Sequence, residues 1–219
     1  MRVFFDVDTQ NDFMKKDGAL YVPGAEELIP VIGELTSLAL RHGIQIVGSV
    51  DEHYGDEKHR SMESELQRWG GPFPDHCMMT STNIKIPTNG SRKVNEDLFF
   101  GYERRIRWTG GMDSAVFIDG NPILFSKQTY DVFTHQNLVP TLKSFNVTEA
   151  YVFGVATDYC IQAAVLGLRK MAIDTYIIED AIAGVDPKTT DLAMDKMKTA
   201  GAMLTNVGLV KEEMDAIYG

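Results

Sequence analysis

Cysteine is scarce in this chain: Cys77 and Cys160 are the only two in 219 residues, and neither their number nor their spacing makes a disulfide framework. Positive charge is short as well. The 21 Lys and Arg residues against 31 Asp and Glu leave a formal charge of -10 and a pI near 4.9, which argues against a nucleic-acid partner or an anionic membrane surface. No apolar run is long enough to cross a bilayer. The opening Met1-Arg2-Val3-Phe4-Phe5-Asp6 reaches an acidic residue too soon for a secretory signal. Repeats, linkers and low-complexity tracts are missing too. These absences lead us to expect a reducing, cytoplasmic setting and one domain spanning 1-219, since 219 residues bury a sizeable core without needing a second. They leave homo-oligomerisation open.

What is present alternates between strand-like and helix-like stretches. Val3 to Val7 reads as a short buried strand, and the polar string Asp8-Thr9-Gln10-Asn11-Asp12 then falls at its C-terminal end, the edge where open α/β sheets bind ligands. From Gly24 to His42, apolar residues recur every three or four positions before Gly43, predicting an amphipathic helix with a glycine stop. Ile44 to Val50 gives a second strand. The opening is therefore β-α-β with a right-handed crossover. Further strands are expected at Ala115–Ile118, Ile123–Phe125, Ala150–Phe153, Asp174–Ile178 and Ala202–Thr205. Helices are expected over Ile161–Lys170, apolar on all sides, from Pro187 behind an Asp186 cap with Leu192, Met194, Met197 and Ala200 inward, and over Leu209–Tyr218. The fold class is α/β, a doubly wound, mainly parallel sheet with helices on both faces. Residues 78 to 122 read as an excursion from it, with a turn at Thr88-Asn89-Gly90-Ser91 and a basic cluster from Arg104 to Trp108.

Three places could carry chemistry. In Gly154-Val155-Ala156-Thr157-Asp158-Tyr159-Cys160 a cysteine falls where a strand gives way to a helix, with Thr157 or Asp158 as N-cap. A thiol in a first helical turn faces free N–H groups and the positive dipole end, which favour thiolate and can hold an oxyanion. The plainer reading makes Cys160 a small buried hydrophobe. Asp51 and His53, at i and i+2 in extended chain, project to one side. With His59 and His76 they would form a mixed nitrogen and oxygen site for zinc, iron or manganese, with Glu57 and Glu63 competing with His59 for the fourth place. Lys127 ends a strand; facing Asp8 and a cysteine it would hold a thiolate by charge.

The three motifs Asp8-Thr9-Gln10-Asn11-Asp12-Phe13, Ser126-Lys127 followed by Tyr130 and Phe133, and Gly154 to Cys160 together resemble those of the isochorismatase-like cysteine hydrolases, and within them the nicotinamidases. That resemblance implies Asp8 as acid/base, Lys127 as catalytic lysine, Cys160 as nucleophile, and a non-proline cis bond at Val155–Ala156. It also implies an oxyanion hole from the N–H groups of Ala156 and Cys160, and one divalent metal, zinc above iron or manganese, on Asp51, His53, His59 and His76. Phe13, Phe73 and Tyr130 match the aromatic residues that pack around the pyridine ring. The expected reaction is hydrolysis of nicotinamide, a small amide, to nicotinic acid and ammonia through a Cys thioester. The alternatives are another small amide or carbamoyl substrate on the same triad, or an inactive binding protein on the same fold.

Overall fold

Short β-branched and aromatic runs between glycine and helix signals become seven strands in the computed structural model, which describes residues 1–80, 88–99, 104–106 and 122–219. They are β1 (Arg2–Val7), β2 (Gln45–Asp51), β3 (Arg104–Ile106), β4 (Ile123–Lys127), β5 (Glu149–Val155), β6 (Asp174–Ala183) and β7 (Met203–Thr205). Every pairing is parallel, in the order β3-β4-β2-β1-β5-β6-β7. Side chains alternate across each strand. Val3, Phe5 and Val7 of β1 therefore face α3 (Leu138–Ser144), α4 (Gln162–Lys170) and α5 (Pro187–Thr199). Phe4 faces α2 (Ile29–His42) and α6 (Val207–Tyr218) instead. Among the described residues no helix is long and apolar enough to cross a membrane.

Chain order gives the sheet its function. From β1 the chain moves outward through β2 to β4, then returns to add β5 on the other side of β1 and continues to β6 and β7. The crossovers diverge between β1 and β5, which opens a crevice beyond the strand C-termini. Gly154 lets the two strand ends close up: its φ is 116°, and a Cβ there would lie 2.0 Å from the Val7 carbonyl oxygen.

Several local expectations need correction. Arg104–Ile106 falls inside the stretch read as an excursion, yet it forms the edge strand β3 beside β4. The expected strand at Ala115–Ile118 lies outside the described residues. β6 does not stop at Glu179-Asp180: a register shift carries it on to pair Ile182 and Ala183 with Gly154 and Val155, and that polar pair is simply exposed. α4 buries one stripe, Ala164, Val165 and Leu168, because only one side meets the sheet. On α5 the inward residues are Ala193 and Met197, one turn apart, with Met194 packed alongside, whereas Leu192 is 53% exposed. The Gly43 stop (φ 64°), the Asp186 cap, which accepts from the N–H groups of Lys188 and Thr189, and the turn closed by the Ser91 N–H on Thr88 O all form as expected.

Candidate active site

Four strand ends converge in the crevice. Asp8 follows β1, Asp51 ends β2, Lys127 ends β4 and Cys160 lies just beyond β5. Asp8 takes a left-handed conformation (φ 48°) that turns it off the strand. Its Oδ1 accepts from the Ser49 hydroxyl at 2.7 Å and its Oδ2 lies 2.7 Å from Lys127 Nζ. The ammonium also pairs with Asp51 Oδ1 and stands 3.6 Å from Cys160 Sγ. All four groups are buried. Ser49 was not singled out from the sequence; its one signal was a hydroxyl inside the apolar strand Ile44–Val50.

Electrostatics in this dry cluster follow from burial set against pairing. Burial opposes the Lys127 charge, but the two carboxylates outweigh it and hold the ammonium well above its ordinary value. Burial raises the Asp8 carboxyl above the usual carboxylate range against the pull of Lys127. It would raise Asp51 too, but Lys127 and the His76 hydrogen bond hold that group below the range. Burial also pushes the Cys160 thiol well above its ordinary value, more than Lys127 can offset. Burial thus works against the thiolate that Lys127 favours, and Asp8 is the carboxyl group beside the sulfur.

The turn bearing Cys160 also differs from expectation. A π-helical turn, Thr157–Ile161, precedes α4, and its N-cap is Ala156, without a side-chain cap. Asp158 instead accepts from the Val185 N–H at 2.9 Å, the Asp186 N–H at 3.3 Å and the Thr189 hydroxyl at 2.5 Å, which ties the Cys160 turn to the start of α5. The Val155–Ala156 peptide bond is cis, as the resemblance implied.

Beside the triad, Asp51, His53 and His76 offer ligand atoms within 4.8 Å of one another, all buried. His76 Nε2 lies 3.5 Å and His53 Nε2 4.0 Å from Asp51 Oδ2. His76 Nδ1 bonds to Pro74 O at 2.7 Å, the outer partner that fixes the ring and turns Nε2 inward. Among the described residues, neither ring nitrogen of the fully buried His53 has a hydrogen-bond partner. Burial lowers its pKa to about 4, so the ring is neutral and has a lone pair to give. Two imidazoles and a carboxylate fit zinc, iron or manganese. His59 is not brought to this cluster: its Nδ1 is 2.5 Å from Asp56 Oδ1 and its ring stacks on Tyr54 at 4.2 Å. Nor are its two competitors. Glu63 accepts from the N–H groups of Tyr54 and Gly55, and Glu57 faces Arg60.

An apolar cavity with about 550 Å³ of empty space, part of it continuous with solvent, opens onto both groups. Phe13, Phe73 and Tyr130 line it with His76 and Cys160, as does Tyr159, which sequence reasoning missed. Tyr159 was legible only as a neighbour of the cysteine. Its ring meets those of Phe73 at 5.7 Å and Tyr130 at 6.4 Å, and Phe13 meets His76 at 5.4 Å.

Comparison with known proteins agrees with this geometry. The isochorismatase domain model matches residues 110–208. With the parallel sheet and the buried Asp-Lys-Cys cluster, that match makes the chain similar to the isochorismatase-like hydrolases. Among these the similarity runs to amidohydrolases. The nicotinamidase/pyrazinamidase of Mycobacterium tuberculosis is 25% identical over 206 residues, covering 93% of this chain and 98% of its own. The Escherichia coli nicotinamidase is 27% identical over 218 residues, covering 93% of each. A solved pyrazinamidase of Pyrococcus horikoshii in complex with zinc superposes with a TM-score of 0.71 at 26% identity, covering 94% of this chain and 98% of that one.

Proposed function

We propose that this chain, as one domain, is a nicotinamidase, hydrolysing nicotinamide to nicotinic acid and ammonia. The observation that carries this reading is one cavity lined by Cys160 of the Asp-Lys-Cys triad, by Asp51 and His76 of the Asp-His-His cluster, and by a wall of aromatic rings. A flat heteroaromatic amide uses all three at once. Its ring gains offset and edge-on contacts with Phe13, Phe73 and Tyr130, and its carboxamide is left to face Cys160.

Asp8 takes the Cys160 proton as sulfur attacks the carboxamide carbon. Lys127, 3.6 Å from the sulfur, stabilises the developing thiolate. The N–H groups of Ala156 and Cys160 hold the oxyanion of the tetrahedral intermediate, where one such donor contributes about 3 kcal/mol. Protonated Asp8 returns its proton to the leaving nitrogen, ammonia departs and a thioester remains. Asp8 then takes a proton from water, whose oxygen attacks the thioester. Nicotinic acid leaves and the proton returns to sulfur. Asp51, His53 and His76 would hold the divalent metal, zinc foremost, which when bound supplies a Lewis-acid site for the pyridine nitrogen. The position of His59 gives no support to its being a fourth ligand.

Ammonia release measured over nicotinamide, pyrazinamide, aliphatic amides and carbamoyl compounds tests the reading. Preference for the two heteroaromatic amides is expected; preference for a carbamoyl compound moves the assignment to another amidohydrolase on the same triad.

A further inference from the structure

The ladder between β1 and β2 ends early. Its last bond runs from the Asp8 N–H to Ser49 O at 3.2 Å, after which the chain turns away. In a parallel sheet alternate residues present both N–H and C=O to the same neighbour, so Asp51, two residues on, points its backbone groups at a place where β1 no longer runs. On the other side β2 remains paired, the Glu52 N–H donating to Lys127 O at 3.0 Å. Unmet, the Asp51 groups would be buried and costly.

Gln10 fills that place with its side chain. Its Oε1 accepts from the Asp51 N–H at 2.7 Å, and its Nε2 donates to Asp51 O at 2.8 Å and to Ser91 O at 3.0 Å. The primary amide matches all three partners, with an oxygen for the one N–H and two N–H donors for the two carbonyls. Gln10 is fully buried and does not line the cavity. Resting on the reading of Asp51 as metal ligand and Lys127 partner, we propose that Gln10 is a positioning residue. It completes the sheet by side chain at Asp51, and so fixes the carboxylate that faces Lys127 on one oxygen and the two histidines on the other.

Merely holding the 88–95 segment in place is a different role, and Asn11 isolates it. Its Nδ2 donates to Asn89 O at 2.8 Å, tying the same segment to the same motif without touching Asp51. The experiment titrates zinc into metal-free protein against a chromophoric chelator, and measures nicotinamide kinetics on the loaded enzyme. Gln10→Leu should weaken zinc binding by about 10- to 100-fold and lower kcat by more than tenfold, while KM moves less than about threefold because the cavity wall is untouched. Asn11→Ala should leave zinc affinity within about threefold of wild type. Equal losses in Gln10→Leu and Asn11→Ala, or unchanged zinc affinity in folded Gln10→Leu, would overturn the proposal. If Gln10→Leu does not fold, Gln10→Asn replaces it, one methylene too short to reach all three partners, and wild-type zinc affinity there overturns it equally. Wild-type protein that binds no zinc at all would instead sink the metal reading on which the proposal rests.

Discussion

Replacing Lys127 by methionine removes one charge from the centre of the site at nearly constant volume, so its consequences can be worked from distances. Nζ stands 3.6 Å from Cys160 Sγ; at an effective dielectric near 20, opposite charges at that separation attract by about 5 kcal/mol. That attraction exists only once the thiol has lost its proton, so it lowers the barrier without tightening substrate binding, and its loss should cost kcat/KM roughly three to four orders of magnitude. Stability changes as well. Asp8 and Asp51 lose their shared counterion while buried, a situation that typically costs about 3 to 5 kcal/mol. The sign with pH follows from Asp8, whose folded pKa is already raised by burial and rises further without the lysine. A carboxyl with a raised folded pKa supports the fold while protonated and withdraws that support as pH climbs through the folded value. The deficit of Lys127→Met against wild type should therefore be small at pH 4 and grow toward pH 8. Urea unfolding of metal-free protein at several pH values reads the stability, and ammonia release reads the rate. A folded Lys127→Met enzyme within tenfold of wild-type kcat/KM would refute the role assigned to the lysine, and a deficit that shrinks as pH rises would refute the electrostatic account of the cluster.

The base role of Asp8 requires its ionised form, and burial raises its pKa. The acid limb of kcat/KM should therefore have its midpoint above about 3.9, the free aspartate value, and Asp8→Asn should abolish most turnover; full activity in Asp8→Asn removes that residue from the mechanism. His53→Ala should lose most bound metal while His59→Ala keeps it, because only the first has both ring nitrogens unpartnered in the cluster; metal analysis of the purified variants checks this, and the reverse order would move the site. Phe13 is 6% exposed and packed in the core as well as lining the cavity, whereas Tyr130 is 48% exposed. Phe13→Ala should therefore cost about 3 kcal/mol of stability as well as raise KM. Tyr130→Ala should raise KM with a stability change within about 0.5 kcal/mol. Thermal melting and kinetics on the same samples separate the two, and normal KM in both would remove the aromatic wall from substrate binding.

By itself the sequence determined the alternation of strands and helices, the glycine and aspartate punctuation at Gly43 and Asp186, and the placement of polar motifs at strand ends. These are local signals, written in spacing and cap chemistry, and they put Asp8, Asp51, Lys127 and Cys160 at the same edge of a parallel sheet. Only the tertiary structure decided how far burial would go there. Burial by residues distant in sequence pushes the Cys160 thiol up more than Lys127 can offset, a sum no local pattern contains. His53 and His59 look alike in the sequence, yet one is left bare in the cluster and the other is taken up by Asp56 and Tyr54. Asp158 reads as a helix cap and serves a loop 27 residues away. Gln10 reads as one member of a polar string until the early end of β1 leaves Asp51 with two backbone groups that only a side-chain amide meets. In each case the deciding partner is remote in sequence, and close only because the sheet folds these strand ends together.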